Sequence, residues 1–155
     1  MTKYAPDRID RKILNELQLD GRATNVELSA RVNLSPSQCL RRVRRLEEVG
    51  IIRGYTAVID HREMGYMLLA YVLITVTSHV NGAREMFMDY LMDKEEVLSI
   101  HGVAGNIDLI VELQAKDIEH FTDLVLKQIY GHKYVVNSTS YVILDTRKLK
   151  GMELR

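Results

Sequence analysis

Apolar and polar positions in the first fifty residues repeat with the period of a helix, in three separate stretches. Asp7 is a suitable N-cap for the first helix, and Asp20 and Gly21 can end it. Thr24 and Glu27 have the spacing of a capping box in front of the second helix. The apolar face of the first helix consists of Ile9, Ile13, Leu14 and Leu17. These patterns predict two short helices separated by a turn.

Three start signals within four residues predict a third helix. Ser35 is a capping residue, Pro36 suits the first helical position, Gln38 suits the third, and Gly50 can end the helix in a left-handed conformation. On a helical wheel, the inward side holds Cys39, Leu40, Val43 and Leu46. The opposite side holds Ser37, Gln38, Arg41, Arg44 and Arg45. Two short helices joined by a brief turn, the second with an arginine-rich outer face, predict a helix-turn-helix.

Beyond residue 50 the pattern changes from helical to β-strand. Residues 51–59 are rich in β-forming types with Gly54 among them, which predicts a small wing hairpin, and the polar residues 61–65 form the predicted linker. The rest of the chain predicts the order βαββαβ, with strands at 67–77, 97–103, 107–115 and 135–144. This is the ferredoxin-like arrangement, an antiparallel sheet with both helices on one face. A second copy of the chain is the simplest cover for the other face.

The fold class predicted is therefore α+β, a winged helix-turn-helix followed by a ferredoxin-like αβ-sandwich. The expected domain limits are 1–60 for the first domain, 61–65 for the linker and 66–155 for the second domain. The chain has 155 residues, 46% of them hydrophobic, which suffices for a buried core.

The composition also restricts the cellular setting. Cys39 is the only cysteine, so an internal disulfide and a multi-cysteine metal cluster are excluded, and a reducing compartment fits best. The longest apolar run, residues 66–74, is about half of the ~18 residues that indicate a membrane span. The amino terminus shows no secretory signal. A cytoplasmic protein without membrane partners is the expectation.

A net charge of zero conceals a difference between the two halves. Residues 1–62 hold 12 Lys and Arg against 8 Asp and Glu, and the remaining residues hold 9 against 13. Four arginines lie within residues 41–45, which indicates a first domain that binds a polyanion. The alternative is a solvated helix face on which these arginines pair with Glu47 and Glu48.

In a helix-turn-helix, the first residues of the second helix approach base edges and the flanks contact phosphates. Ser37, Gln38 and Arg41 are therefore the candidates for base contact, since glutamine pairs with adenine and arginine with guanine. The candidates for phosphate contact are Arg42, Arg44, Arg45 and Arg53.

The segment 102–108 is a second candidate site. Its two glycines allow a close approach of the backbone, its amides can bind a carboxylate, and Asp108 can accept hydrogen bonds from an ammonium group, which together suit a zwitterion. The alternative is a simple β-turn. The five histidines are scattered and no catalytic motif occurs, so the expectation is a protein that is not an enzyme and has neither metal nor cofactor.

The amino-terminal segments 7–18, 20–22, 34–39 and 42–47, followed by Gly50-Ile51-Ile52, resemble the leucine-responsive regulator/asparagine regulator family (Lrp/AsnC, the feast/famine transcription factors) over essentially the whole chain. The resemblance implies a bacterial or archaeal transcriptional regulator, at least dimeric and often octameric, that responds to an amino acid held between subunits. It implies cytoplasmic, nucleoid-associated action on double-stranded DNA, and two copies of the reading helix then predict imperfect palindromic sites.

The family's sites fall on residues of this chain. The resemblance places DNA reading on Ser37, Gln38, Arg41 and Arg42, and effector binding on the turn 105–108, with Ser138 and Ser140 near the pocket. Where many members have Gly-Asp-Tyr-Asp or Gly-Asp-Phe-Asp, this chain has Gly-Asn-Ile-Asp, with one charge and the aromatic ring missing. The full set of candidate effector residues is Gly102, Val103, Ala104, Gly105, Asn106, Asp108, Ser138 and Ser140.

Two alternatives remain at this point. One is an architectural DNA-binding protein of the same family without an effector, recognised by DNA bending that does not depend on amino acids. The other is a metabolic enzyme or the amino-acid-binding regulatory subunit of one, which would use the second domain alone and would lack sequence-preferring DNA binding.

Overall fold

The computed structural model describes residues 4–146 and, for the backbone alone, two short paired strands, β5 (Lys148–Leu149) and β6 (Met152–Glu153). Contacts divide the chain into two compact units. The first unit runs to Val58 and includes Thr146, and the second is Ile59–Asp145. The predicted domain limits, 1–60, 61–65 and 66–155, stay predictions, and the end of the last one lies outside the described residues.

The first unit contains three helices that begin where the sequence predicts. Asp7, Thr24 and Ser35 each accept a backbone N–H of the following first turn on their side-chain oxygen, so all three predicted caps are confirmed. Asn33 and Gly50 have φ of 57° and 73° and end the second and third helices in the left-handed region. The helices are α1 (Arg8–Leu19), α2 (Asn25–Val32) and α3 (Pro36–Glu48).

The core of this unit lies between the three helices, where five buried side chains meet: Ile13, Leu28, Val32, Cys39 and Leu46. Leu40 is an exception to the predicted inward stripe of α3, because 38% of it is exposed. Leu40 follows Cys39 by about 100° on the helical wheel, so α1 and α2 cover Cys39 and leave Leu40 at the margin of the core.

The predicted wing hairpin at 51–59 is not formed, since this segment contains no β-strand. A two-stranded hairpin is marginal in water unless a third strand or an apolar surface supports it. Among residues 4–146 neither support is found for this segment, in which Tyr55, Val58 and Ile59 are each more than half exposed. The predicted linker, residues 61–65, contains a hydrogen-bonded turn. In this turn the N–H groups of Met64 and Tyr66 donate to the carbonyl of His61.

The second unit confirms the ferredoxin-like order. The elements are β1 (Leu68–Val76), α4 (Ala83–Met92), β2 (Val97–Gly102), β3 (Leu109–Ala115), α5 (Ile118–Asp123) and β4 (Val135–Val142). The four-stranded antiparallel sheet has the spatial order β2-β3-β1-β4. A seven-residue π-helical segment, Leu124–Tyr130, continues α5, and its buried Leu124 and Ile129 are five residues apart, which suits the wider turn.

Both helices of this unit pack on one face of the sheet. Val72 and Val111, paired in register, lie in the same buried cluster as Phe87 of α4 and Phe121 of α5. On the opposite face of the sheet, Tyr71 of β1 and Tyr141 of β4 are paired and exposed. That face retains aromatic surface available for contact with another molecule.

Candidate nucleic-acid interface and effector site

The side of α3 that points away from the core is polar and cationic. We call this surface the α3 outer face, and it consists of Ser37, Gln38, Arg41, Arg44 and Arg45, all exposed. Its starting end is well fixed, because the Ser35 hydroxyl accepts the Gln38 N–H and Pro36 occupies the first turn. All members of this face except Gln38 line a concave surface of about 560 Å³, together with four other residues: Tyr4, Leu40, Arg42 and Glu48.

Most of the charge on the α3 outer face is available for a partner. Arg41 and Arg44 form no ion pair with any residue that the structure describes. Arg45 lies 3.6 Å from a carboxylate oxygen of Glu48, a solvent-exposed pair that contributes little stability. The Glu47 carboxylate instead accepts a hydrogen bond from the Tyr55 hydroxyl at 2.9 Å. The alternative interpretation predicted that these arginines pair with Glu47 and Glu48. Of those ion pairs, the structure shows the one between Arg45 and Glu48.

The Tyr55 contact changes a side-chain pKa. Burial of the hydroxyl, followed by the hydrogen bond and the negative charge of Glu47, raises the pKa of Tyr55 to about 12.

Arg53, predicted to contact phosphate, is exposed within the segment 51–59, which forms no strand. Arg53 lies a few residues beyond the end of α3, but no β-hairpin fixes its position in this segment.

Arg42 lies in a different environment from the other arginines of α3. Its Nη1 atom donates to Asp10 Oδ1 over 2.7 Å and to Asp7 Oδ2 over 2.8 Å. These two carboxylates, that of Asp10 first, raise the pKa of Arg42 above its usual value. The sequence placed Arg42 among the DNA contacts, whereas in the structure its guanidinium binds the start of α1.

The candidate effector turn connects β2 to β3. Ala104, Gly105 and Asn106 are exposed at its tip, and Gly105 has a φ of 153°, which side chains disfavour. Val103 closes the turn, since its N–H donates to the Asp108 carbonyl over 2.9 Å. Gly102 is the last residue of β2.

Asp108 serves the fold as well as the candidate site. Its N–H donates to the Ile74 carbonyl over 2.9 Å, and its Oδ2 accepts the Val76 N–H over 2.9 Å. These bonds tie the turn to the end of β1. The carboxylate predicted to receive an ammonium group therefore already holds a backbone donor of its own domain.

The strand register decides which candidate effector residues come together. Ser138 pairs with Ile74, the residue whose carbonyl accepts the Asp108 N–H, so Asp108 and Ser138 lie on either side of the same end of β1. Ser140 pairs with Val72, about 7 Å further along the strand. Both serines project to the helix-covered face, because each pairs with a buried β1 residue.

Sequence reasoning missed the residues that surround Asp108. A concave surface of about 230 Å³ is lined by Asp108, by Arg84 and Glu85 of α4 and by the loop that precedes α4, including Ser78. Arg84 Nη2 lies 3.2 Å from Glu85 Oε1. The Arg84 guanidinium also lies close to the turn, since a Cβ placed on Gly102 would be 3.6 Å from its Nη1. The polar residues before α4 were the only available signal, and nothing in their spacing related them to a turn some 25 residues later.

Within residues 4–146, no group of three or more His, Cys, Asp or Glu side chains is arranged to hold a metal ion. Cys39 is fully buried, and this burial raises the pKa of its thiol, in agreement with a packing role. Within the same residues, no helix combines the length and apolar character that crossing a bilayer requires.

A helix-turn-helix with an exposed cationic face, followed by a separate ferredoxin-like domain, defines a DNA-binding protein with a second domain for regulation. Two family models agree with this class. Residues 6–53 match a winged helix-turn-helix DNA-binding model, and residues 69–152 match the Lrp/AsnC ligand binding domain. The chain belongs to the Lrp/AsnC family and is a DNA-binding transcriptional regulator with a ligand-binding domain.

Individual relatives support this assignment. The chain is 40% identical over 142 residues to the leucine-responsive regulatory proteins of Klebsiella pneumoniae and Escherichia coli K12, covering 92% of this chain and 87% of theirs. Its structure is similar to that of a Neisseria meningitidis transcriptional regulator in complex with L-Met, at a TM-score of 0.89 and 36% identity over 97% of each chain. An AsnC family regulator from Agrobacterium tumefaciens has a TM-score of 0.84 at 28% identity, covering 96% of both chains.

Proposed function

We propose that this regulator reads an imperfect palindrome in double-stranded DNA with the α3 outer face and responds to an amino acid bound in its second domain. The observation that carries the proposal is that Arg41 and Arg44 are exposed and form no ion pair with the described residues, on a helix whose start is capped. Ser37, Gln38 and Arg41 lie toward the start of α3 and contact base edges.

Phosphate contacts follow from the remaining exposed arginines. Arg44 and Arg45 lie one turn beyond the reading residues, and Arg53 follows the end of α3. Such contacts orient the helix in the groove without distinguishing base pairs, and they make binding dependent on salt.

Self-association supplies the second copy of α3 that a palindrome requires. The exposed sheet face with Tyr71 and Tyr141 is the surface on which a homodimer forms, because aromatic rings at a sheet face are stabilised by burial. A two-fold dimer places its reading helices about 34 Å apart, one turn of DNA. Octamers, which the family resemblance implies, are assemblies of such dimers.

The effector is an amino acid, because the concave surface beside the turn contains both charges that a zwitterion requires. Asp108 supplies a carboxylate for the ammonium group, and Arg84, which forms an exposed ion pair with Glu85 at 3.2 Å, supplies a guanidinium for the carboxylate. The solved Neisseria relative contains L-Met, which supports this ligand class. Of the other candidate residues, Ser138 lies with the turn 102–108 at one end of β1, and Ser140 lies about 7 Å further along β4.

The protein acts by binding and not by catalysis, without metal or cofactor, at the nucleoid in the cytoplasm. The support for this is its family, whose named relatives are transcriptional regulators that work on DNA.

Selection of bound fragments from random DNA tests the proposal. The full chain is incubated with the pool in the presence and absence of a mixture of the twenty amino acids, and bound fragments are sequenced. We expect enrichment of an imperfect palindrome with half-sites one helical turn apart, and a change in affinity or assembly with the mixture.

Other outcomes separate the alternatives. Enrichment that is identical with and without amino acids, accompanied by bending of the recovered DNA, identifies an architectural protein without effector. The absence of any enriched sequence refutes DNA reading and leaves the second domain as a regulatory module for a metabolic enzyme.

A further inference from the structure

A compact ionic cluster joins α3 to the first turn of α1. A single atom, Arg42 Nη1, donates to Asp10 at 2.7 Å and to Asp7 at 2.8 Å. Asp10 is 1% exposed and the Arg42 side chain is 29% exposed. The bridge therefore connects a nearly buried carboxylate of one helix to the middle of another.

The two carboxylates already perform a second task, which is to cap α1. Asp7 Oδ1 accepts the N–H groups of Ile9 and Asp10, both at 2.8 Å, and Asp10 Oδ2 accepts the Asp7 N–H at 3.1 Å. Because Arg42 occupies the other oxygen of each, all four carboxylate oxygens have a partner. Negative charge is also favoured at this end of a helix by the helix dipole.

The cluster extends from α1 to the α3 outer face through Tyr4. The Tyr4 hydroxyl donates to Asp10 Oδ2 over 2.7 Å. The ring of Tyr4 lies under the Arg45 guanidinium, whose central carbon is 5.5 Å from the ring centroid. The position of Arg45 thus depends on Tyr4, which is held by a hydrogen bond to the buried Asp10 carboxylate.

The position of Arg42 on α3 also differs from that of the reading residues. On a wheel of ~100° per residue, Arg42 lies about 60° from the buried Cys39, whereas Arg41 lies about 160° from it. Arg42 Nη1 carries both charge-assisted hydrogen bonds, so turning this atom toward a phosphate would leave the buried Asp10 carboxylate without its cation.

We propose that Arg42 is a positioning residue: its bridge to Asp7 and Asp10 sets the orientation of α3 and thereby the sequence discrimination of the α3 outer face, without contacting DNA. This inference rests on the proposed function and assigns Arg42 a role different from the phosphate contact expected from the sequence. Arg44, on the same helix and without an ion pair among the described residues, is the matched control.

Salt-dependent binding of Arg42→Met and Arg44→Met tests the proposal. Each full-length variant is titrated with the selected palindrome and with a scrambled fragment at several salt concentrations, under conditions in which circular dichroism shows it to be folded. We expect Arg44→Met to lower the slope of log K against log salt by about 0.9 and to leave the ratio of specific to non-specific affinity within about twofold. We expect Arg42→Met to leave the slope unchanged and to lower that ratio about tenfold.

A loss of slope in Arg42→Met equal to that in Arg44→Met overturns the proposal, and so does an unchanged affinity ratio. A residue that served stability alone would leave the ratio of the folded protein unaltered. If the wild-type chain shows no sequence preference at all, the proposed function fails instead, and this result is obtained before any variant is made.

Arginine-specific dicarbonyl labelling of the wild-type chain gives a second test that does not depend on the folding of a variant. Labelled peptides are quantified by mass spectrometry with and without the selected DNA. We expect Arg42 to react slowly in both cases, and Arg44 to react rapidly alone and slowly when DNA is bound. Rapid labelling of free Arg42 followed by protection with DNA would show a direct contact and overturn the proposal.

Discussion

The two candidate sites of this regulator relate to its fold in different ways. On the α3 outer face, Arg41 and Arg44 extend into solvent and form no ion pair among the described residues. At the β2–β3 turn, the Asp108 carboxylate accepts the Val76 N–H and fastens the turn to β1. A rigid polyanion can be bound by side chains that the fold does not use, whereas the effector turn combines a structural bond with its proposed binding role. Substitutions should therefore separate binding from stability in the first site and mix them in the second.

Arg42→Met gives the largest effect, because Arg42 is the arginine of α3 that the fold does use. The substitution leaves the Asp10 carboxylate buried without its cation, and we expect the first unit to lose about 3 kcal/mol of unfolding free energy. Arg44→Met should change it by less than about 0.5 kcal/mol. Hydrogen exchange of the α1 and α3 amides measures the two variants in the first unit alone. Equal protection in both would remove the distinction between the bridging and the exposed arginines.

Arg41→Ala and Arg45→Ala sharpen the comparison within the α3 outer face. We expect Arg41→Ala to lose about 2 kcal/mol of discrimination at one base pair, since a bidentate contact to guanine is removed. Arg45→Ala should weaken all sequences nearly equally and reduce the salt slope by about one. Gel shifts with single-base variants of the palindrome, at two salt concentrations, measure both. The same loss for both variants would contradict the division into reading and phosphate-contacting residues.

Asp108→Ala and Asp108→Asn separate the two roles of the effector turn. Alanine removes the acceptor of the Val76 N–H, and we expect a loss of about 1.5 kcal/mol of stability. Asparagine retains an acceptor oxygen and should cost less, but it lacks the charge that an ammonium group requires. Thermal unfolding measures stability, and calorimetric titration with amino acids measures binding. Full amino-acid binding by Asp108→Asn would exclude the carboxylate as the ammonium ligand.

Lowering the pH should produce the smallest of these effects on stability. The Asp10 N–H and then Arg42 hold the pKa of Asp7 below its usual value of 3.8. A carboxyl group whose pKa is lower in the folded than in the unfolded state stabilises the folded state at pH values above its unfolded pKa. This stabilisation is lost as the pH falls toward the folded-state pKa. The first unit should therefore lose stability as the pH falls below about 4. In Asp7→Asn, which still caps α1, that pH dependence should be weaker when unfolding is followed by urea titration, and an identical profile would contradict it.

Much of the fold follows from signals that span a few residues. Asp7, Thr24 and Ser35 were recognisable as caps because each acts on backbone groups within its own first turn. The order βαββαβ followed from the change between two-residue and helical periodicity. The wing hairpin at 51–59 failed as a prediction because β-forming residues require a supporting surface that lies elsewhere in the chain.

The candidate sites were predictable to different degrees. The composition of the α3 outer face followed from a helical wheel, because exposure on one helix depends on the position of its own core residues. The surroundings of Asp108 could not be predicted in this way, because Val76 and Arg84 belong to β1 and α4. Only sheet register and helix packing bring them to the turn.

The amino-acid sequence by itself determined where each capped helix starts, which face of α3 is cationic and in what order strands and helices alternate, because capping and periodicity act over one or two turns. Tertiary packing decided which of those charges are free. Asp7 and Asp10 meet Arg42 across 35 and 32 positions of chain, and only the docking of α1 against α3 brings them within hydrogen-bond distance. The same packing turned one arginine of a basic run into part of the scaffold and left its neighbours exposed to solvent.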